Sequence, residues 1–322
     1  MTPKQRRLAR AAERERLRQK QQRNKRAALI LVALVVVIIG VGILSLTLLA
    51  HADVETGEEI PPSANTSEQV KLKQLSDYYF FEEERSQRYL EYLVVYPNMA
   101  PEEVIVQVNL DLDTIPYTDS TPVTNPESLL VLTNKHNYLP RSYEPADLVS
   151  VGDILIRSEA AGPLQQLVAA AWDDGVSLYL SSGVRDAAYQ EVLYNNLVNS
   201  IGVKWADLQS ARPGYSEHQT GWAVDFSPSN YQFYETPAAY WIEENAYKYG
   251  FIVRYTEEND KMTLYIHEPW HIRYVGSEVA QFMHDNEIGS FEEYWVRYIQ
   301  HTPSVQRGLP GMPVTGMVTG SQ

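Results

Sequence analysis

A run of 24 residues without a charge, residues 27–50, constrains the folding of this chain of 322 residues most strongly. At about 1.5 Å of rise per residue, a helix of that length crosses a hydrocarbon core of about 30 Å with some tilt. The 26 residues before it carry 11 Lys and Arg against 2 Glu. Because basic flanks stay on the cytoplasmic side, the pattern predicts one transmembrane helix, a basic cytoplasmic arm over residues 1–26, and an exported remainder.

A cleaved signal peptide is the alternative interpretation of the same run. Ala50-His51-Ala52 has the A-x-A form of a cleavage site, so a secreted protein cleaved near Ala52 stays open. The apolar core of a signal peptide is usually about 7 to 15 residues long, which favours an uncleaved anchor here. We therefore expect a single-pass protein of the cell membrane with its N-terminus in the cytoplasm and its catalytic part outside.

The basic arm is also compatible with nucleic-acid binding, but its position argues against that. The arm directly precedes the apolar run, where attraction to anionic lipid and control of topology explain the charges. The whole chain carries a net charge of −14, so the part after the arm is strongly acidic. We expect the lipid bilayer, through residues 27–50, as a partner, and no nucleic acid.

Composition divides the part after the apolar run into four segments. Residues 51–75 are polar and interrupted by proline, which is typical of a stalk or linker. Residues 76–148 begin with a helix-like run and continue in loops rich in Pro, Thr, Asn and Tyr, which favours an N-terminal extension packed on the core. We assign residues 149–301 to the catalytic domain. Residues 302–322, rich in Pro, Gly, Thr and Ser, are predicted to be a disordered tail.

Both helices and strands are predicted in the catalytic domain. An amphipathic helix starts at Pro163, ends near Gly175, and carries its apolar residues at Leu164, Leu167, Val168, Ala171 and Trp172. The runs FIVRY and MTLYIHEPWHIRYV, separated by the charged turn TEENDK, predict a hairpin. The expected class is therefore α+β, with a small, mostly antiparallel sheet and flanking helices.

Two segments of this domain contain the side chains that a catalytic zinc ion needs. They are SEHQTGWAVD, from Ser216, and EPWH, from Glu268. Catalytic zinc takes three protein ligands and leaves one position for water, and a nearby carboxylate that does not bind the metal can move protons. We predict a cleft with one Zn²⁺ held by His218, Asp225 and His271, and with Glu268 as the general base.

The spacing within these segments predicts bends. Trp222, Val224 and Phe226 alternate with Ala223 and Asp225, so a strand buries the aromatic face and turns Asp225 the other way. His218 is seven positions before Asp225, and a continuous strand would put it on the opposite face. We expect Gly221 to permit a bend there, and Pro269 to disturb the strand between Glu268 and His271.

Other chemistries are less compatible with the sequence. Without a cysteine, thiol catalysis is excluded. The SSG at Ser181 lacks the strand-turn-helix context of a nucleophilic serine. His267 is the nearest competitor of the two histidine ligands. A surface bulge at EPWH and polar residues at a strand edge remain the non-functional alternatives.

These residues resemble the zinc D-alanyl-D-alanine carboxypeptidases of the VanY type, which belong to a wider group of zinc peptidases that cut peptidoglycan stem peptides. The family pattern S-x-H-x-x-G-x-A-x-D is matched from Ser216 to Asp225, and E-x-x-H by Glu268 and His271. An upstream S-G-x-R with a Gln five residues later is matched within SSGVRDAAYQ. The resemblance covers roughly residues 76–300.

The resemblance implies further site residues and a substrate. Arg185, where a strand-like run meets a helix-like run, would stabilise the oxyanion or the carboxylate of the peptide. Gln190 and Ser216 would donate or accept hydrogen bonds from the substrate. The function expected is removal of the terminal D-Ala from peptidoglycan stem peptides.

Other specificities on the same scaffold stay open at this stage. They are an L,D-carboxypeptidase, a peptidoglycan endopeptidase and, with less support, a non-catalytic wall-binding module that keeps zinc for stability. A structural zinc site usually closes its fourth position with another protein ligand, whereas this chain keeps Glu268 and Arg185. The sequence does not indicate the oligomeric state.

Overall fold

The computed structural model describes residues 63–301. The predicted basic arm, transmembrane helix and C-terminal tail lie outside this range. Across residues 63–301, no helix combines the length and the apolar character that crossing a bilayer requires. The expectation of a membrane span over residues 27–50 therefore stays a prediction.

Ten α-helices lie in the described part of the chain, several of them joined by short 3-10 turns. In chain order, α1 to α10 are Ser63–Ser76, Ser86–Val95, Pro101–Asn109, Ser158–Asp173, Ala187–Ile201, Val203–Gln209, Pro237–Asn245, Asp260–Thr263, Ser277–Asp285 and Phe291–Trp295. Helix α1 covers about half of the segment that the sequence assigns to a stalk, and its Leu75 is fully buried.

Within residues 63–301, eight short strands form three sheets. In chain order, β1 to β8 are Thr121–Pro122, Asn137–Tyr138, Leu148–Val151, Ile154–Arg157, Leu180–Ser182, Ala223–Phe226, Phe251–Val253 and His271–Tyr274. Strands β1 and β2 pair in parallel and β3 and β4 antiparallel. The central sheet has the order β5-β6-β8-β7 and is antiparallel throughout. The predicted α+β class with a small antiparallel sheet is confirmed.

The central sheet buries one face against a hydrophobic cluster. Trp222, Val224 and Phe226 belong to this cluster, as the alternation in β6 predicts. Helix α4 adds Leu164, Leu167 and Ala171, which have no exposed surface, whereas Trp172 is 70 % exposed. The inclusion of Trp172 in the apolar face is therefore wrong. The helix also begins at Ser158, so that Pro163 lies within it instead of starting it.

A second hydrophobic cluster joins helices α1 to α3 to the C-terminal helices. Leu75, Tyr89 and Ile105 lie in it together with Val279 and Tyr294. Residues of the predicted extension thus share buried contacts with residues of the predicted catalytic domain.

The hairpin around TEENDK differs from its prediction in the second strand. Strand β8 begins at His271 and not at Met262, while residues 260–263 form helix α8. Leu264 then has a left-handed φ of 62°, which no strand permits. Asn259 helps to hold this turn, because its Oδ1 accepts a hydrogen bond from the backbone N–H of Thr256 and its own carbonyl accepts from that of Thr263. The antiparallel pairing of β7 with β8 is as predicted.

Candidate active site

Neighbouring strands of the central sheet bring two of the predicted ligands together. Asp225 of β6 lies directly opposite His271 of β8 in the antiparallel register. Both side chains are on the face opposite the aromatic cluster, because side chains alternate along a strand. His271 Nδ1 is 3.0 Å from Asp225 Oδ1.

The third predicted ligand comes from a turn before β6. Residues 217–220 form a 3-10 turn that Ser216 caps, since its Oγ accepts from the backbone N–H of His218. Gly221 ends the turn with φ 79°, so the expected bend is present. It carries the His218 ring back over the sheet, with Nε2 3.1 Å from Asp225 Oδ2.

The hydrogen bonds of the two imidazoles determine which ring atoms face Asp225. His218 Nδ1 lies 2.7 Å from the carbonyl oxygen of Gly183, which only accepts, so Nδ1 carries the hydrogen and Nε2 is left without one. His271 Nε2 lies 3.2 Å from Glu217 Oε2, leaving Nδ1 towards Asp225. Two imidazole nitrogens and a carboxylate thus converge.

This convergence fits a metal ion. One ligand atom each from His218, Asp225 and His271 lies within 4.8 Å of the others, and all three residues are buried. His218 Nε2 is buried without a hydrogen-bond partner. Three electron-pair donors facing one another are unfavourable without a cation between them, and two imidazoles with one carboxylate are ligands that suit zinc.

The pKa values of His218, His271 and Asp225 are also shifted, those of His271 and Asp225 in directions that favour a positive charge among these groups. Burial lowers the pKa of His218 to about 4, aided by the charge of Arg185. Burial would lower that of His271 too, but its hydrogen bonds to Asp225 and Glu217 outweigh this effect and raise the pKa to about 9. For Asp225, the two histidines overcome the effect of burial and hold the pKa well below its usual value.

Glu268 lies in the turn that leads into β8. Its backbone N–H donates to Tyr255 O at 3.0 Å, and its carbonyl accepts from His271 N at 3.0 Å, so Pro269 sits within a tight turn and not in a regular strand. Burial raises the pKa of Glu268 to about 7, since the favourable charges of His271 and Arg185 do not compensate for it. Such a carboxylate exchanges protons near neutral pH.

Arg185, just before helix α5, and Gln190, in the first turn of that helix, flank the site. One guanidinium nitrogen of Arg185 lies 3.5 Å from Asp225 Oδ2, and the side chain is about 20 % exposed. The Gln190 amide donates to Ser210 Oγ and Ala211 O, at 3.1 and 2.8 Å, while its Oε1 is buried without a partner. Gln190 is therefore free only to accept a hydrogen bond.

All seven predicted site residues line one pocket of about 160 Å³. The remaining lining residues are Gln209, Ser210, Ala211, Glu217, Ser229, Tyr255, Tyr265 and Trp270. Among the described lining residues Arg185 is the only Lys or Arg. His267, the competitor considered for a metal ligand, stacks on Tyr234 with the ring centroids 5.1 Å apart and does not line the pocket.

A buried charge network behind the metal group was missed in the sequence analysis. Glu217 Oε1 accepts from Arg254 Nε at 2.8 Å and from an Arg273 guanidinium nitrogen at 2.9 Å. Arg254 in turn makes a two-point contact with Glu292, at 2.6 and 2.7 Å. The available signal was Arg273, which shares a strand face with His271 and pairs with the small Ala223.

An α+β fold with a buried His/Asp/His group beside an ionisable glutamate defines a metal-dependent hydrolase. Residues 153–277 match the family VanY, described as D-alanyl-D-alanine carboxypeptidase. A putative carboxypeptidase of Bacillus subtilis, YodJ, is 40 % identical over 190 residues, which are 54 % of this chain and 69 % of the relative. The chain belongs to the VanY D-alanyl-D-alanine carboxypeptidase family.

Two solved structures are also similar to this chain. The LdcB LD-carboxypeptidase is 39 % identical, with a TM-score of 0.52 that covers 56 % of this chain and 91 % of the other. A D,D-pentapeptidase VanY from a VanB-type resistance cassette, in complex with Zn(II), is 32 % identical, with a TM-score of 0.47 over 53 % of this chain and 99 % of the other. The predictions of the family and of a metallopeptidase are confirmed, and the three predicted zinc ligands form a group that could hold a metal ion.

Proposed function

We propose that this chain is a zinc D,D-carboxypeptidase that removes the terminal D-Ala from peptidoglycan stem peptides. The observation that carries the proposal is the pocket itself, in which the His218, Asp225 and His271 group, Glu268 and a single cation meet. Membership of the family supports a substrate that ends in D-Ala-D-Ala.

His218 Nε2, Asp225 and His271 Nδ1 would hold the zinc ion, because these atoms face one another with no donor hydrogen required between them. When bound, zinc supplies Lewis acidity at the scissile carbonyl and makes water a stronger acid. The chain's own groups then have to orient the peptide and move the proton.

Glu268 is the group suited to moving that proton. With a pKa near 7, its carboxylate takes a proton from the attacking water as the new carbon–oxygen bond forms. It returns the proton to the leaving amino group as the peptide carbon–nitrogen bond breaks. No covalent bond between enzyme and peptide is needed.

Arg185 is assigned to the terminal carboxylate of the peptide. An enzyme that removes a C-terminal residue has to recognise a negative charge there, and Arg185 is the only Lys or Arg among the described residues that line the pocket. A guanidinium matches a carboxylate in geometry as well as in charge. Gln190 Oε1 would accept from a peptide N–H, and Ser216 Oγ lies beside the turn that carries His218.

The deciding experiment offers the full-length chain two defined stem peptides with zinc present, and identifies the products by mass spectrometry. A pentapeptide ending in D-Ala-D-Ala is expected to lose one D-Ala, and a chelator is expected to stop the reaction. Absence of product from the pentapeptide in the presence of zinc contradicts the proposal.

L,D-carboxypeptidase activity is the second candidate, supported by the similarity to LdcB. It acts on a tetrapeptide whose terminal D-Ala follows an L-centre. Release of D-Ala from the tetrapeptide alone would favour this candidate over the first. Both candidates use the same metal group, base and cation.

The place of action proposed is outside the cell, with residues 27–50 as a membrane anchor. Support comes from the uncharged run and the 11 basic residues before it. Fractionation of cells, followed by protease treatment of intact spheroplasts, tests this proposal. We expect to recover the full-length chain in the membrane fraction, and external protease should cleave it. A shortened soluble form would indicate signal cleavage.

A further inference from the structure

Glu217 makes three contacts that the catalytic scheme does not use. Its side chain is fully buried, with Oε1 accepting from Arg254 and Arg273 and Oε2 3.2 Å from His271 Nε2. Guanidinium groups only donate, so Glu217 faces both arginines as an acceptor. It lies immediately before His218 but contacts the other histidine of the metal group, in a strand 54 positions away.

The two arginines fix the orientation of the Glu217 carboxylate. Arg254 is held by Glu292 and by Glu217, and Arg273 also donates to the carbonyls of Leu129 and Val131, at 2.7 and 3.1 Å. With Oε1 occupied by both arginines, Oε2 is directed at the imidazole of His271. Because Oε2 can only accept, His271 Nε2 has to carry a hydrogen, and a neutral ring then has its free electron pair on Nδ1.

We propose that Glu217 is a positioning residue, whose carboxylate selects the tautomer and ring orientation of His271 so that Nδ1 is the atom presented to the metal. This inference rests on the zinc site of the proposed function. A carboxylate that contacts a ligating histidine, but not the metal, orients the imidazole ring and increases its basicity. This is the role that we assign to Glu217.

The charges of the network explain why the carboxylate stays ionised. Arg254 and Arg273 balance Glu217 and Glu292, so the four buried groups together are neutral. Burial by itself would raise the pKa of Glu217, but the two arginines outweigh it and hold the pKa far below the usual value. A buried ion pair is weak evidence for stability, because desolvation opposes the attraction. The contact between Glu217 and His271 gives these charges a role other than stabilising the fold.

Glu217→Gln tests the proposal. The two arginines require the amide oxygen in the place of Oε1, which turns the amide N–H groups towards His271 Nε2. That nitrogen then has to accept, the hydrogen moves to Nδ1, and the metal loses its electron pair. We expect the zinc affinity of the full-length chain, measured by competition with a chromogenic chelator, to fall at least about tenfold.

Glu292→Gln is the matched control. It removes a buried carboxylate from the same Arg254 and leaves the contact between Glu217 and His271 in place. Both variants are expected to lower the unfolding temperature, but Glu292→Gln should keep the zinc affinity of the wild type. An equal loss of affinity in both variants, or no loss in Glu217→Gln, overturns the proposal.

A measurement on the unmodified protein decides the matter if Glu217→Gln does not fold. Nitrogen-15 NMR of the zinc-loaded full-length chain distinguishes a histidine bound through Nδ1 from one bound through Nε2. The proposal requires Nδ1 binding and an Nε2 hydrogen at His271, and Nε2 binding overturns it. Neither measurement uses a peptide, so a chain that binds zinc as expected but cleaves no stem peptide contradicts the proposed function alone.

Discussion

Two glutamates of the pocket have pKa values displaced in opposite directions by their neighbours. Glu217 faces two arginines that keep its pKa low in spite of burial, whereas Glu268 is buried with too little compensating charge, and its pKa rises to about 7. Carboxylates separated in this way take different roles, one permanently charged and one able to exchange a proton. This difference supports the proposed assignment of proton transfer to Glu268 and not to Glu217.

Replacement of Glu268 by Gln keeps the shape of the side chain but removes the acceptor of the proton. We expect kcat to fall by about 10²- to 10⁴-fold, while zinc affinity and unfolding temperature are retained. Product formation from the pentapeptide and chelator competition measure the two properties. Glu278→Gln, at an exposed position of helix α9, is the control and should behave as the wild type. Unchanged turnover in Glu268→Gln contradicts the assignment.

The role of Arg185 is tested by varying enzyme and peptide together. Replacement by Met should lower kcat/KM for the free pentapeptide by at least about 30-fold, as expected when one partner of a shielded charge pair is removed. The wild type should also discriminate against a pentapeptide whose C-terminus is amidated. Because the variant lacks the cation, we expect it to treat both peptides alike. A variant that still prefers the free carboxylate shows that Arg185 acts elsewhere, for example on the oxyanion.

At the scale of elements, short-range patterns predicted much of the site and long-range contacts account for the rest. Alternation in β6 predicted the direction of Asp225, and the odd spacing to His218 predicted the bend at Gly221, since both depend on residues close in sequence. The start of β8 was predicted wrongly because residues 260–264 are held by Asn259 and by a distant side chain, Lys135, which bonds Leu264 O at 2.6 Å. The Glu217 network was missed for the same reason.

Gly221 couples the turn of His218 to strand β6, and Gly221→Ala should disturb both. Its φ of 79° is unfavourable for alanine, and the added Cβ would lie 2.7 Å from Arg157 Cγ. Gly175, with φ 75° and open space around it, is the matched control. We expect each variant to lose about 1–2 kcal/mol of unfolding free energy from backbone strain. Gly221→Ala should lose more and should also bind zinc more weakly.

Urea denaturation and chelator competition measure these two effects. Equal losses in both glycine variants, with zinc affinity retained, would contradict the importance of the bend.

Lys135 joins helix α6 to the residue that ends helix α8, and it should make stability depend on pH. Its ammonium group donates to Asp207 O and Leu264 O, and burial lowers its pKa from 10.5 to about 8. Between pH 8 and pH 10.5, Lys135 keeps its proton in the unfolded chain but loses it in the folded one. The free energy of unfolding therefore increases as pH rises through this range. The full difference between the two pKa values corresponds to about 3 kcal/mol of unfolding free energy.

Comparison with Lys135→Met isolates this contribution, since other titrating groups are common to both proteins. The Met side chain leaves two carbonyls without a donor, so the variant should be less stable at every pH. The difference in unfolding free energy between wild type and variant should widen from pH 8 to pH 10.5. A difference that is independent of pH, measured by urea denaturation, would falsify the lowered pKa.

At the scale of the whole molecule, the active-site network extends into the N-terminal extension. Arg273, which holds Glu217, donates to the carbonyls of Leu129 and Val131. The second hydrophobic cluster likewise contains Leu75, Phe80 and Ile105 together with residues of the last two α-helices. The family match covers residues 153–277, so these contacts come from outside the matched segment. We therefore expect the position of the metal group to depend on the packing of the extension.

Two truncations test this link. A chain starting at Ser63 keeps both hydrophobic clusters and should retain the unfolding temperature and zinc affinity of the full-length protein. A chain starting at residue 149 lacks about half of the second cluster and two acceptors of Arg273. Exposure of that apolar surface favours aggregation, and the loss of buried contacts should lower the unfolding temperature by at least several degrees. Because Glu217 depends on Arg273, zinc affinity should fall as well. A soluble shorter chain with the melting curve and zinc affinity of the longer one would show that the catalytic segment folds and binds metal without its extension.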